Sequence, residues 1–79
     1  MIRLLVRRTD LNQLYCTCVK ELVFEDGFLW WHEELPDGVV DVLQISVNSF
    51  TAIPILSRAL EVGFVDLSSF AAEEVTGDE

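Results

Sequence analysis

The chain has 79 residues, 51% of them apolar, and its 14 Asp and Glu against 5 Lys and Arg give a formal charge of −9. That length makes one domain. The negative excess argues against direct nucleic-acid binding, which needs clustered Lys and Arg on phosphates, and the apolar half argues against disorder. Cys16 and Cys18 are the two cysteines, and a disulfide across one intervening residue is strained. Two free, buried thiols are expected, and with them a reducing, cytoplasmic setting. No apolar run approaches the roughly 18 residues of a membrane span, and the apolar stretch at 4–6 is too short for a signal peptide. No membrane partner is expected.

Residues 2–8 alternate as a strand, with Ile2, Leu4 and Val6 on one side and Arg3 and Arg7 on the other. After a polar turn at 9–13, Tyr, Cys, Thr, Val and Phe favour a second strand over 14–25. Asp26-Gly27 between apolar runs is a strong hairpin signal. A two-residue turn there pairs Glu25 with Phe28, Phe24 with Leu29 and Val23 with Trp30, and continues to Glu21 with His32 and Lys20 with Glu33. Leu35-Pro36-Asp37-Gly38 is a second turn. A three-residue loop there joins strands over 28–34 and 39–47 and pairs Glu33 with Asp41, Trp31 with Leu43 and Leu29 with Ile45.

The two registers agree on which side is which. Cys18, Leu22, Phe24, Leu29, Trp31, Leu43, Ile45 and Val47 form the expected core face. Tyr15, Thr17, Val19, Glu21, Val23, Trp30, His32, Glu34, Val42 and Gln44 form the other. The period then changes. Ser49 or Thr51 can cap a helix over 51–62 whose apolar stripe is Ile53, Leu56 and Leu60, and Gly63 stops it. A short edge strand follows at 64–67 and a short C-terminal helix at 68–75. The expected fold is α+β: an antiparallel meander of about four strands with a helix packed on one face, or a curled, barrel-like sheet as the alternative. It occupies a single domain over 1–75, with a frayed acidic tail over 76–79.

Catalytic signatures are missing. His32 is the one histidine, and the derived register puts it on the face opposite Cys16 and Cys18, against both a metal site and a thiol–imidazole pair. There is no strained Gly-x-Ser-x-Gly turn and no Gly-rich phosphate loop. A non-enzyme without metal or cofactor is expected.

Trp30 and Trp31 are adjacent, so on a strand they face opposite ways. Trp31 belongs to the core, which leaves Trp30 on the other face, rimmed by Glu21, Glu25 and Glu34. Apolar aromatic patches with polar rims mark protein interfaces. Glu33, Glu34, Asp37 and Asp41 converge on one hairpin end, with Glu33 directly opposite Asp41 and Lys20 placed to relieve the repulsion. The expected partner-binding residues are therefore Glu33, Glu34, Asp37, Asp41, Trp30, Glu21 and Glu25, acting on a protein with a basic surface. At the level of class alone, a short, acidic, cofactor-free chain looks like the small inhibitors that phages use against host nucleic-acid enzymes, anti-CRISPR proteins among them. The alternative expectation is a homo-oligomer subunit that buries its Trp30 face against a copy of itself. Charge is also unevenly placed. Residues 1–20 carry four basic groups and one acid, net +3, and residues 21–79 carry one basic group and 13 acids, net −12.

Overall fold

The computed structural model describes residues 1–75, so the tail expected over 76–79 lies outside the described residues. Its elements run β1 (Ile2–Arg8), β2 (Gln13–Val19), β3 (Val23–Glu25), β4 (Phe28–Glu34), β5 (Val40–Ser46), α1 (Ser49–Val62), β6 (Phe64–Asp66) and β7 (Glu73–Glu74). The class is α+β, as expected. The strands form two sheets, of order β2-β1-β6 and β3-β4-β5-β7.

Local chemistry sets the second sheet. Asp26 and Gly27 both take positive φ, 53° and 82°, which makes the mirror-image turn whose twist suits a hairpin. Glu25, Phe24 and Val23 pair with Phe28, Leu29 and Trp30 as the turn dictates. At the next turn Gly38 takes φ 89°, the Leu35 amide donates to the Val39 carbonyl at 2.8 Å, and Asp37 Oδ1 accepts from the Val39 amide at 3.0 Å. Glu33 then meets Asp41, Trp31 meets Leu43 and Leu29 meets Ile45.

The single strand expected over 14–25 is two strands. Twelve extended residues would span about 40 Å, more than the 31 Å longest extent of the molecule. The chain instead breaks at 20–22 and crosses from one sheet to the other. The break resets the alternation. Tyr15, Thr17 and Val19 turn inward on β2, Val19 being 2% exposed, while Cys16 and Cys18 are exposed. The expectation of buried thiols is therefore corrected, as are the faces assigned to residues 15–19. The further pairings of Glu21 with His32 and Lys20 with Glu33 do not form, because β3 begins at Val23.

Asn48 caps α1, its Oδ1 accepting from the Thr51 amide at 2.9 Å, in place of the expected Ser49 or Thr51. Gly63 ends the helix as expected, at φ 74° with its amide on the Ala59 carbonyl at 3.1 Å. The buried side of the helix differs from the expected stripe. Ala52 and Ala59 are buried, Ile55 and Leu56 half-buried, and Ile53 and Leu60 are 62% and 87% exposed. Small residues at these positions let the helix backbone approach β6 and β1. β6 is the expected edge strand, but parallel to β1, with Leu4 opposite Val65.

No helix forms over 68–75. β6 is only three residues long and leaves the far half of β1 unpaired, so the Ala72 amide donates to the Arg7 carbonyl at 3.0 Å and the Thr9 amide to the Ala72 carbonyl at 3.2 Å. β7 then adds to β5, with Gln44 opposite Glu73. Asp66 begins a turn rather than a helix, accepting from the Ser68 amide at 2.9 Å. Leu4, Val6, Val19 and Val65 of the first sheet meet Leu29, Trp31, Leu43 and Ile45 of the second in one core. Among the described residues no helix is long and apolar enough to cross a membrane.

Candidate functional site

Strand alternation divides β4 between core and surface. Leu29, Trp31 and Glu33 are buried, while Phe28, Trp30, His32 and Glu34 point outward. Register then assembles the outer face of this sheet. Val23 lies beside Trp30 and Glu25 beside Phe28 on one flank; Val42 lies beside His32 and Gln44 beside Trp30 on the other, with Glu73 of β7 beyond Gln44. Trp30 is half-buried at the centre, its ring edge-on to His32 at 5.3 Å between centroids and 78° between planes. Glu25, Glu34 and Glu73, all exposed, form the rim. A central aromatic with carboxylates at the margins suits a surface that presents several Lys or Arg side chains, some over the ring and others against the acids.

Beside this face, where β3 stops and β4 continues, lies an open cleft of about 470 Å³ lined by Cys18, Lys20, Glu21, His32, Glu34 and Val40. Two expected site residues, Glu21 and Glu34, meet here. So do Cys18 and His32, and the opposed faces derived for them from sequence are corrected. The strand break at 20–22 swings the end of β2 next to β4. Among the described residues no three His, Cys, Asp or Glu side chains group so as to hold a metal ion.

Glu33 takes a different place from the one expected. It is 8% exposed, and its carboxylate accepts from Tyr15 Oη at 2.9 Å and from Trp31 Nε1 at 3.0 Å. These donors, not Lys20, offset its position opposite Asp41. Glu33 is thus an internal acceptor that joins the two sheets, and Asp41, half-buried beside it, is drawn in with it. Glu34 and Asp37 stay exposed. Glu25 is at the other end of β4, about 20 Å from Glu34, since its partner Phe28 is six residues away along the strand.

The internal network extends to Arg8, 6% exposed, whose guanidinium bonds Asp10 at 2.6 and 2.9 Å and lies 3.9 Å from Glu74. The hydrogen bond to Asp10 holds Arg8 above even its usual range, against the cost of burial, and Arg8 holds Asp10 below the usual carboxylate range. Burial, reinforced by the Glu33 carboxylate, pushes Tyr15 well above the ordinary tyrosine range. Arg8, Tyr15 and Glu33 are turned inward, and the Tyr15–Glu33 bond fastens the two sheets behind the outer face.

Sequence reasoning missed Glu73, because the residues around it read as helix. The signal that could have found it is the pair of adjacent acids in 71–75 facing an otherwise unguarded β5 edge. Compared with protein-family models, curated proteins and solved structures, the chain has no significant match.

Proposed function

We propose that the protein is a small, non-catalytic inhibitor that covers a basic, nucleic-acid-binding surface of a larger protein, in the manner of phage-encoded inhibitors such as anti-CRISPR proteins. The observation that supports this reading is the outer face of β3-β4-β5-β7, where Trp30 lies centrally and Glu25, Glu34 and Glu73 stand at its margins. Basic side chains that otherwise contact phosphate would meet these carboxylates, with Trp30 as the aromatic anchor. Glu21 widens the acidic rim across the cleft. Glu33 contributes from inside, by holding the sheet in place.

The test begins with capture of the partner from a lysate of the native host and its identification by mass spectrometry. The captured protein should lose nucleic-acid binding when the chain is added. A variant with Glu25, Glu34 and Glu73 each replaced by Lys should bind it about tenfold or more weakly, with a flatter salt dependence. Unchanged affinity in that variant, or a partner that still binds nucleic acid normally when saturated, refutes the reading.

A further inference from the structure

The four sheet edges are not alike. β3, β6 and β7 are three, three and two residues long, and each carries acid, at Glu25, Asp66 and Glu73–Glu74. Short length and charge are the usual means of keeping a strand edge from pairing with another chain. β2 has neither. It is a seven-residue edge strand, QLYCTCV, with no charge and no proline.

Backbone directions follow from β1. The Arg3 and Thr9 amides, and the Leu5 and Arg7 carbonyls, bond toward the β6 side, to Gly63, Ala72, Leu67 and Ala72. Odd residues of β1 therefore direct their peptide groups away from β2, and even residues direct theirs to it. The register pairs Leu4 with Thr17 and Val6 with Tyr15. Tyr15, Thr17 and Val19 thus bond back to β1, and Leu14, Cys16 and Cys18 aim their amides and carbonyls out of the sheet edge. The side chains of those three are exposed on the outer face, Leu14 at 61%.

We infer that β2 is a self-association edge, at which a second copy of this chain pairs antiparallel about a two-fold axis through Cys16. Such an axis overlaps the whole of Gln13–Val19 with its copy and places Cys16 opposite Cys16 and Leu14 opposite Cys18. Every outward peptide group of the strand then meets a complementary one. Charge allows the approach. The strand itself carries no charge, and the two β1 cations that share its outer face, beside Cys18 and Leu14, lean away from the axis. Arg3 rests over the Phe64 ring at 5.8 Å, and Arg7 Nε donates to the Ser68 carbonyl at 2.9 Å. The result is a continuous six-stranded sheet, β6-β1-β2 joined to its copy, whose seam at Cys18 borders the cleft of Glu21, His32 and Glu34.

Amide hydrogen exchange on the full chain at about 5 and 500 µM tests this without any substitution. Leu14, Cys16 and Cys18 amides should exchange about tenfold or more slowly at the higher concentration. Tyr15, Thr17 and Val19, already bonded to β1, are the internal reference. Light scattering should report a dimer that C16K converts to a monomer, since two lysines would oppose each other at the axis. A native near-UV spectrum, to which Trp30, Trp31 and Tyr15 all contribute, verifies that C16K is folded. A monomer at 500 µM, a dimer that leaves the three amides unprotected, or a folded C16K that still dimerises overturns the inference. Each outcome is independent of whether a basic partner is found.

Discussion

Replacing Glu33 by Ala tests whether the two sheets are fastened as described. The substitution removes the acceptor of Trp31 Nε1, which belongs to a side chain 1% exposed, and of the half-buried Tyr15 hydroxyl. A buried donor left without an acceptor costs about 1–3 kcal/mol. Trp31 cannot reach water, so the upper half of that range applies to it; Tyr15 can turn partly to solvent, so the lower half applies. The sum is about 3–5 kcal/mol, out of the roughly 4–12 kcal/mol that 79 residues provide. Urea unfolding followed by tryptophan fluorescence should show a midpoint lowered by about 1–5 M at the slope of about 1–3 kcal/mol per molar typical of small domains. Glu33→Gln keeps one acceptor and should lose less. Combining Glu33→Ala with Tyr15→Phe should cost less than the sum of the two, because the orphaned hydroxyl is gone. A loss under about 0.5 kcal/mol for Glu33→Ala, the range of ordinary surface changes, would refute the role given to this carboxylate.

The helix makes a contrasting pair: Ala59→Leu overpacks the contact with β6 and β1 and should cost about 1–3 kcal/mol, whereas Leu60→Ala, at an 87% exposed position, should change stability by less than about 0.5 kcal/mol; thermal unfolding separates them. Gly63→Ala should cost about 1–2 kcal/mol from its φ of 74°, since the nearest atom to an added Cβ is the Met1 carbonyl oxygen at an ordinary 3.6 Å. Asp10, with its proton affinity lowered by Arg8, stabilises the fold above the ordinary Asp range and loses that contribution as pH falls through its lower folded value; a stability profile from pH 6 to 2 should therefore converge with that of Asp10→Asn at the acid end. Tyr15 has the opposite sign: its folded value is raised, so stability falls as pH climbs past the free tyrosine value of about 10, and Tyr15→Phe should remove that loss.

Both hairpins were legible because they rest on local rules. Asp26-Gly27 and Asp37-Gly38 dictate their turns, and each turn dictates a register that the structure shows pair by pair. What was illegible lay between and beyond them. Parity along a strand is reliable only while the strand is unbroken, and nothing local at Lys20-Glu21-Leu22 announces the crossing between sheets. The faces of Cys16, Cys18 and Val19 therefore came out reversed, and the shared cleft of Cys18 and His32 was hidden. The helix was placed, but hydropathy ranks Ile and Leu above Ala as core formers. Packing at α1 instead selects small volume, so Ala52 and Ala59 go in and Ile53 and Leu60 stay out. Among the expected site residues, Glu34 and Glu21 came together, while Glu33 was claimed by Trp31, its same-face neighbour two residues back on β4, and by Tyr15, a donor on the other sheet that no single-strand pattern could bring into view.

The parallel pairing of β1 with β6 also sets an order of events during synthesis. β1 is the central strand of its sheet, yet one of its neighbours, Phe64–Asp66, is separated from it by more than fifty residues of chain. The other sheet likewise waits for Glu73–Glu74 to complete its β5 side. A ribosome adding about 5–20 residues per second delivers both hairpins seconds before either closing strand. Through that interval β1 has an open edge, its Leu5 and Arg7 carbonyls still without the Leu67 and Ala72 amides. Long-range closure of this kind is slow, and mispairing at the β1 edge is most accessible before Phe64–Asp66 is made.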